Sequence, residues 1–411
     1  MTHRTVLISG AGIAGPTLAY WLARHGFRPT VVERADAPRS SGSPVDVRGP
    51  AVRVAERMGV MARLREAGTR VDNLDFVDGR GRRVGRVDMR ALRRAAGSTE
   101  VELPRGDLAA ILRDACRDDA EFVFGDSVVA LTQDAGGVHV TFDRSAPRDF
   151  DLVIGADGLH SATRQLAFGP ESDHVHHMGL YIATVTLDEP VGHARDVLMY
   201  NTPGRAVSVH PGRDRPLAAF LFRSPALAGF HHRDTEQHRR LLVEAFSGGT
   251  WRVPDLLDRV RAADDLYFDA VSQVRLPRWS HGRVALLGDA ASCVSLFGDG
   301  SSLAMAGAAT LAGALAAHPD DHGAAFRRYE AGHRALVEPK QGNAGRAAAM
   351  LVPATARGIA ARNLATRLWP LAAAGRWLGR RSGTPVSRPA ANAAGRRPGP
   401  AMPTGGSPER P

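Results

Sequence analysis

The chain has 411 residues, 44% of them hydrophobic and 23% charged, and a net charge of +10. That length exceeds one small domain and suits two, or two interleaved with a tail. No run of about 18 apolar residues stands out, so no membrane-spanning helix is expected. Two cysteines, Cys116 and Cys293, exclude a disulfide framework and fit a reducing cytoplasm. From Leu371 onward seven arginines face one acid, Glu409, so six of the ten net charges lie in the tail. A nucleic-acid binder would carry them on a folded stripe with interleaved aromatics instead.

In chain order, the first apolar run, Val6-Leu7-Ile8, reads as a buried strand and leaves no room for a signal peptide before it. Gly10-Ala11-Gly12-Ile13-Ala14-Gly15 follows, then a helical pattern through Leu18, Leu22 and Phe27, then Val31-Val32 and Glu33. Strand, glycine turn, helix, strand and acid form the context in which G-x-G-x-x-G binds a dinucleotide. Gly10 permits the tight turn, Gly12 lets backbone approach a diphosphate, and Gly15 lets helix and strand pack closely. The helix N-terminus aims N–H groups and its positive dipole end at the phosphates. FAD, NAD and NADP all use this motif, which leaves the dinucleotide open.

A turn-rich loop spans 34–44, followed by Val45-Asp46-Val47-Arg48-Gly49-Pro50 and a helical pattern from Ala51 to Met61. Asp46 reads either as a cofactor or substrate contact or as a cap for that helix. Arg48 suits a planar polar group, or a solvated loop position. Leu74 to Val87 reads as a hairpin, Asp107 as the cap of a helix carrying Leu108, Ile111 and Leu112, and Phe122–Phe124 and Val138–Phe142 as strands. At 151–158 and 283–291 a buried strand delivers an aspartate, Asp157 and Asp289, at its C-terminal end. Ligands of open α/β sheets bind beyond strand C-termini, so these ends converge with the glycine turn on one crevice.

Between them, the stretches 180–187, 197–200, 206–210 and 217–222 read as successive strands of a mostly antiparallel sheet. Tyr181, Tyr200, Phe220 and Phe222 on these strands line either a core or a pocket for an aromatic substrate. His174, His176 and His177 read as a polar loop rather than a metal site, and Cys293 as a small buried residue. Phe297 to Ser302 leads into a small-residue helix ending near Ala317. From Gln341 to Arg381 the pattern is helical, broken at Pro353 and Pro370, and from Ser382 the Pro/Gly/Ala/Arg-rich chain is expected to be disordered. The segments give a nucleotide-binding domain in three parts (1–75, 101–170, 278–340), a sheet domain built from a hairpin (76–100) and 171–277, a C-terminal helix (341–381) and a tail (382–411).

With these motifs placed, the sequence resembles the FAD-dependent aromatic hydroxylases of the para-hydroxybenzoate hydroxylase type over residues 4–340. The resemblance rests on Gly10, Gly12 and Gly15 with Glu33, on Asp157-Gly158 and on Gly288-Asp289. It is closest to the tetracycline-inactivating and actinomycete biosynthetic monooxygenases, whose flavin-side loop is similar to 44–49 and whose bridging helix is similar to the segment after 341. The resemblance implies an α/β architecture: a Rossmann-like FAD-binding domain interleaved with the sheet as substrate domain, plus a C-terminal bridging helix. It implies non-covalent FAD held by Gly10, Gly12, Ala14 and Gly15, by Glu33 with Arg34, by Arg105 and by Asp289. It links Asp157 to both FAD and NAD(P)H, and lays the turn from Gly298 through Gly300, Ser301 and Ser302 against the flavin ring. Members commonly carry histidine and proline after the Gly-Asp pair; Ser292 and Val294 stand there instead.

The implied chemistry is NADPH- or NADH-driven reduction of FAD and transfer of one atom of O₂, through a flavin C4a-hydroperoxide, to an aromatic or polyketide-like small molecule. Asp46 and Arg48 are the side-chain candidates beside the flavin. A related-fold oxidase or reductase, or a flavin-binding protein without turnover, are the alternatives; the lysine and the W-x-W-x-I-P motif of related halogenases are missing. A cytoplasmic monomer or weak homodimer is expected, with no metal, no nucleic acid and no stable membrane association.

Overall fold

The computed structural model describes residues 4–36, 44–96, 99–212, 215–294 and 299–367. Phe297, Gly298, Leu368, Trp369, Pro370 and the tail from Ser382 therefore lie outside the described residues.

The nucleotide-binding layer is a six-stranded sheet in the order Ser280–His281, Val284–Leu286, Leu152–Gly155, Thr5–Ser9, Arg28–Glu33, Glu121–Phe124. Every pairing is parallel except the short hairpin at Ser280–Leu286. Parallel strands need crossovers and both faces covered, which explains the near-continuous apolar runs. Val6, Leu7, Ile8, Val153, Ile154 and Leu286 are fully buried. Helix Ala14–Arg24 packs Leu18, Ala19 and Leu22 into one core, and a three-stranded meander of Val128–Gln133, Val138–Phe142 and Arg148–Phe150 covers the other face.

Helix Asp299–Ala317 lies in the first of these cores. Contrary to the reading from sequence, it is long and apolar enough by composition to cross a bilayer, but 61% of its most apolar window is buried inside the fold. Alanine, glycine and methionine let it nest among neighbouring elements, so the apolar character belongs to a core helix.

The second sheet has seven strands, in the order Tyr267–Val274, Val175–Thr186, Leu217–Arg223, Arg205–His210, Asp196–Thr202, Asn73–Val77, Arg83–Asp88. It is antiparallel apart from the Asp196–Thr202/Asn73–Val77 pair, and the hairpin of Asn73–Val77 with Arg83–Asp88 forms its edge. His176 and His177 sit on a strand rather than in a loop, and the rings of His174 and His177 engage the carbonyls of Phe168 and Ser224.

The sheet's two faces settle the question about its aromatics. Tyr181, Tyr200, Phe220 and Phe222 pack with Leu242, Phe246, Leu256 and Val260 of helices Thr235–Phe246 and Val253–Ala262. They form a core behind the sheet. Strand alternation sends Leu180, Ala206, Leu221 and Val271 to the opposite face, where Ala348 and Val352 cover them.

Those two residues end the bridging segment. A 30-residue helix, His322–Leu351, runs through Pro339 and through the boundary expected at 340/341. Its first half packs Phe326 and Tyr329 into the nucleotide-domain core, and its end docks on the second sheet. Arg223 donates to the carbonyls of Val352 and Ala348, and Asn201 to that of Leu351. A further helical stretch, 356–367, lays the Arg362 guanidinium 3.8 Å over the Phe76 ring.

Candidate functional site

The glycine turn divides its three glycines by what surrounds them. A Cβ on Gly15 would stand 1.9 Å from the Gly10 carbonyl oxygen, and one on Gly10 (φ +109°) 2.5 Å from that of Ala156. A Cβ on Gly12 would meet nothing within 4 Å. Gly10 and Gly15 thus close the turn against the protein, and Gly12 alone presents bare backbone to the crevice. Glu33 braces the turn, accepting hydrogen bonds from the amides of Ala11 (2.9 Å) and Ala35 (3.0 Å). Arg34 is exposed beside it.

Gly288 (φ +64°) continues the crevice: a Cβ there would lie 3.1 Å from that of Ala14. The positive φ ends the buried strand and starts the short helix Asp289–Ser292. Burial raises the Asp289 carboxyl above its ordinary value, against the opposing pull of the Arg105 guanidinium and a hydrogen bond with Cys293. Arg105 is exposed at the first position of helix Arg105–Asp114. Asp107 sits in that helix's first turn, where the dipole favours an acid, and Pro104 rather than Asp107 is the N-cap residue.

Gly300, whose Cβ would lie 3.5 Å from Asp289 Oδ1, leads to the far end. There the Ser301 and Ser302 hydroxyls both donate to the Asp46 carbonyl at 2.7 Å, and the Arg48 amide donates to Ser302 Oγ. The Arg48 guanidinium lies 3.5 Å from the Asp46 carboxylate and 2.9 Å from that of Asp299, which Lys340, the chain's single lysine, also reaches at 3.1 Å. A cavity of about 180 Å³ opens beside Arg48, Asp299, Ser302, Leu336 and Lys340. Asp46 is not a helix cap: Gly49 holds that position, three residues on.

Asp157 borders the glycine turn, with its Cα 2.9 Å from where a Cβ on Gly10 would stand. One carboxylate oxygen accepts from the Ser161 hydroxyl; the other accepts from the Thr163 amide and hydroxyl, both at 2.9 Å, and from Ser9 Oγ at 3.4 Å. Its own chain engages both oxygens, so it ties the first strand to helix Ala162–Phe168. Arg164, fully buried, connects this turn to the next strand end by donating to the carbonyls of Leu159 and Ala290. Beyond Asp157, the His160 ring bridges Glu171 (3.0 Å) and Asp269 (3.1 Å). Burial works against its positive charge, but the bonds to Asp269 and Glu171 outweigh burial and lift it to about 9.

Contacts thus run in sequence from Glu33 to Ala11, from Ala14 to Gly288, from Asp289 to Gly300 and from Ser301 to Asp46, beside the buried strand ends. The bare-backbone turn, helix N-terminus and extended course of this line fit a dinucleotide such as FAD. A family model described as FAD binding domain matches residues 3–337. The chain belongs to this FAD-binding family.

The flavin-dependent monooxygenase of Legionella longbeachae serogroup 1 (strain NSW150) is 35% identical over 339 residues, 82% of this chain and 86% of the relative. The uncharacterized protein Rv1260 of Mycobacterium tuberculosis (strain ATCC 25618 / H37Rv) is 40% identical over 342 residues, 82% of this chain and 92% of the relative. Among solved structures, tetracycline destructase Tet(51) superposes with a TM-score of 0.79 at 31% identity, covering 89% of this chain and 95% of its own. Klebsiella pneumoniae HpxO, complexed with FAD and uric acid, gives 0.71 at 25% identity, covering 89% and 93%. The monooxygenase therefore has the expected fold class and cofactor family.

Of the residues predicted from sequence, the structure brings together Gly10, Gly12, Ala14, Gly15, Glu33, Asp289, Gly300, Ser301, Ser302, Asp46 and Arg48, with Arg105 acting on Asp289. Sequence reasoning missed Asp299 and Lys340 of the monooxygenase, which come from the starts and middles of distant helices. It also missed Glu102, the cross-strand partner of Asp46, although Val101-Glu102-Leu103 shows the apolar–polar alternation of a strand with one acid on its outer face.

Proposed function

We propose that this monooxygenase uses NADPH or NADH and O₂ to hydroxylate an aromatic or polyketide-like small molecule. The observation that carries the reading is the far end of the crevice, where Asp46, Arg48, Asp299, Ser301 and Ser302 converge from the start and the end of the nucleotide-binding domain. Bound there, FAD supplies the two-electron chemistry through which NAD(P)H and O₂ act on a closed-shell organic substrate.

The chain's own groups have separable tasks. Gly12 and the amides of the opening turn hold the diphosphate, Glu33 with Arg34 the adenosine end, and Asp289 with Arg105 the middle of the cofactor. Ser301 and Ser302 anchor the 45–49 segment to the N-terminus of helix Asp299–Ala317, so Arg48 is presented from a fixed backbone. The bridging helix seals the junction with the sheet, excluding water from the reacting groups. The large aromatics of the sheet pack against the helices behind it, and Phe76, Asn201, Ala206 and Leu221 on its other face lie under the bridging segment. The named likenesses, a tetracycline destructase and a uric-acid complex, support a planar, oxygen-rich substrate class. The buried free thiols Cys116 and Cys293 fit work in the cytoplasm.

The test is anaerobic reduction of the FAD-loaded enzyme by NADPH and by NADH across a panel of phenolic and polyketide compounds. Acceleration of reduction by members of the panel supports the reading. Reduction that is equally slow with every compound and both nicotinamides overturns it.

A further inference from the structure

A two-stranded antiparallel ribbon, Val45–Val47 with Val101–Leu103, carries the flavin-side segment. Its register pairs Val45 with Leu103, Asp46 with Glu102 and Val47 with Val101. Side chains alternate between faces, so the apolar pairs share one side and the two acids the other. Val47, Val101 and Leu103 are buried in the nucleotide-domain core, and a one-residue slip would bury both carboxyls in their place. The register is thereby fixed, and with it the acid pair. Directly opposed residues keep their Cβ atoms about 4.5–5.5 Å apart, so two half-buried carboxyls are held side by side.

The surroundings treat the two differently. Asp46 has the Arg48 guanidinium at 3.5 Å, and its carbonyl receives both Ser301 and Ser302. The Glu102 carboxyl forms no hydrogen bond or ion pair with any other described residue; only its carbonyl is engaged, by Thr69. The charges acting on the pair are Arg48, Arg93, Glu100 and Asp299. The cation in contact thus sits at Asp46. Burial and then the Asp46 charge push Glu102 up to about 7, whereas Asp46 is raised by burial against the pull of Arg48. Two carboxylates that share a site do not both ionise readily.

We propose that Asp46 and Glu102 hold one proton in common, resting on Glu102, and that Glu102 passes it through Asp46 into the crevice during monooxygenation. Glu102 is then a positioning residue that acts through Asp46. The balance requires such a proton: one substrate, one NAD(P)H, one O₂ and one proton yield one hydroxylated product, one NAD(P)⁺ and one water. In the transfer the Glu102 O–H bond breaks as an Asp46 O–H bond forms, Asp46 releases its proton to the crevice, and solvent restores Glu102. The assignment to turnover rests on the reading of the crevice given above; the shared proton does not.

Two measurements separate these. Carboxyl ¹³C NMR of protein labelled at glutamate, with and without FAD, reads the pair without turnover. One glutamate should titrate near neutrality, vanish in Glu102→Gln, and move down toward the ordinary carboxylate range in Asp46→Asn. Titration of Glu102 with the bulk glutamates, or no movement in Asp46→Asn, overturns the shared proton. In turnover, Glu102→Gln should bind FAD as the wild type does, lose the neutral inflection in the pH profile of kcat, and fall roughly tenfold at neutral pH; Glu102→Asp should restore part of it. An unchanged profile in Glu102→Gln with the NMR result intact overturns the proton-transfer role alone. Absence of any NAD(P)H-coupled oxygenation in wild type overturns the proposed reaction and leaves the NMR result standing.

Discussion

The Arg48 guanidinium meets the Asp299 carboxylate at 2.9 Å across 251 positions of sequence. The contact joins the ribbon to the N-terminus of a core helix, and Lys340 joins the same carboxylate from the bridging helix. Three elements are therefore fastened at one acid, most of whose side chain is shielded from solvent.

Asp299→Ala should loosen that junction. Charge-assisted hydrogen bonds contribute about 1.5–3 kcal/mol each, reduced here because Arg48 keeps Asp46 and Lys340 is half exposed. A net loss of about 1–2 kcal/mol is expected in chemical denaturation. Arg48→Lys should recover little of the wild-type behaviour, because an ammonium cannot span both carboxylates as the planar fork does. Denaturation midpoints equal to wild type for both variants would mean the junction adds nothing to stability.

The glycine turn yields a sharper pair. Gly12→Val places its side chain where nothing lies within 4 Å, so the apo-protein should keep its melting temperature while FAD binding is lost. Gly15→Ala puts a Cβ 1.9 Å from the Gly10 carbonyl oxygen, so the fold itself should suffer, by several kcal/mol. Glu33→Ala should weaken FAD binding roughly tenfold or more, through loss of the bonds to the Ala11 and Ala35 amides. Calorimetry of the apo-proteins beside FAD fluorescence titration separates the classes; a destabilised Gly12→Val would place that glycine against protein instead.

Stability should fall on both sides of neutrality for different histidines. His333, 1% exposed between Trp279, Tyr329 and Gly307, is pushed by burial from 6.5 down to about 4. The unfolded chain then binds the extra proton, so this contribution is complete above about 6.5 and is lost as pH falls toward 4, on the order of 3 kcal/mol in all. His160 has the opposite sign: lifted to about 9, it contributes fully below 6.5 and loses that contribution as pH rises through about 9. Urea denaturation across pH should show His333→Leu flattening the acid limb and His160→Gln the alkaline limb. The reverse assignment would contradict both environments.

Much of the crevice was legible because its constraints are local. A glycine that must have positive φ, or that meets backbone within 2 Å, leaves its mark at one position, and strand ends are visible as apolar runs closing on an acid. Asp157 looked like Asp289 for that reason, yet Ser161 and Thr163, a few residues on, engage its carboxylate. The aromatics of the second sheet stayed open between core and pocket for a different reason. Alternation tells which residues share a face, so Tyr181 and Phe220 were grouped by burial, but which layer each face meets depends on helices that follow later. The bridging helix ran past its expected start because packing on both sides holds it through Pro339. Glu102 and Lys340 gain their meaning from partners 56 and 41 positions away, which no local pattern carries.

Truncation tests the bridge. Ending the chain at 381 should leave the melting temperature and FAD content nearly unchanged, since the tail has no periodic apolar face. Ending it at 340 removes buried Ala344 and, from the core on the second sheet, Ala348 and Val352, with the Gln341 bonds to Val274 and Cys293 and the Arg362–Phe76 contact. A loss of several kcal/mol is expected, from about 1.5–3 kcal/mol for burying Val352, less for each alanine, and about 0.5–1.5 kcal/mol for each lost hydrogen bond. Differential scanning calorimetry decides; a large loss from the shorter deletion would show that the tail docks.

Turnover of a stimulating compound under ¹⁸O₂, followed by mass spectrometry of the product, tests the central claim most directly. The account predicts one ¹⁸O atom in the product for each NAD(P)H consumed, with little peroxide. Unlabelled, desaturated product with all O₂ recovered as peroxide would identify an oxidase, and unlabelled product formed equally well without O₂ a reductase; either contradicts the account.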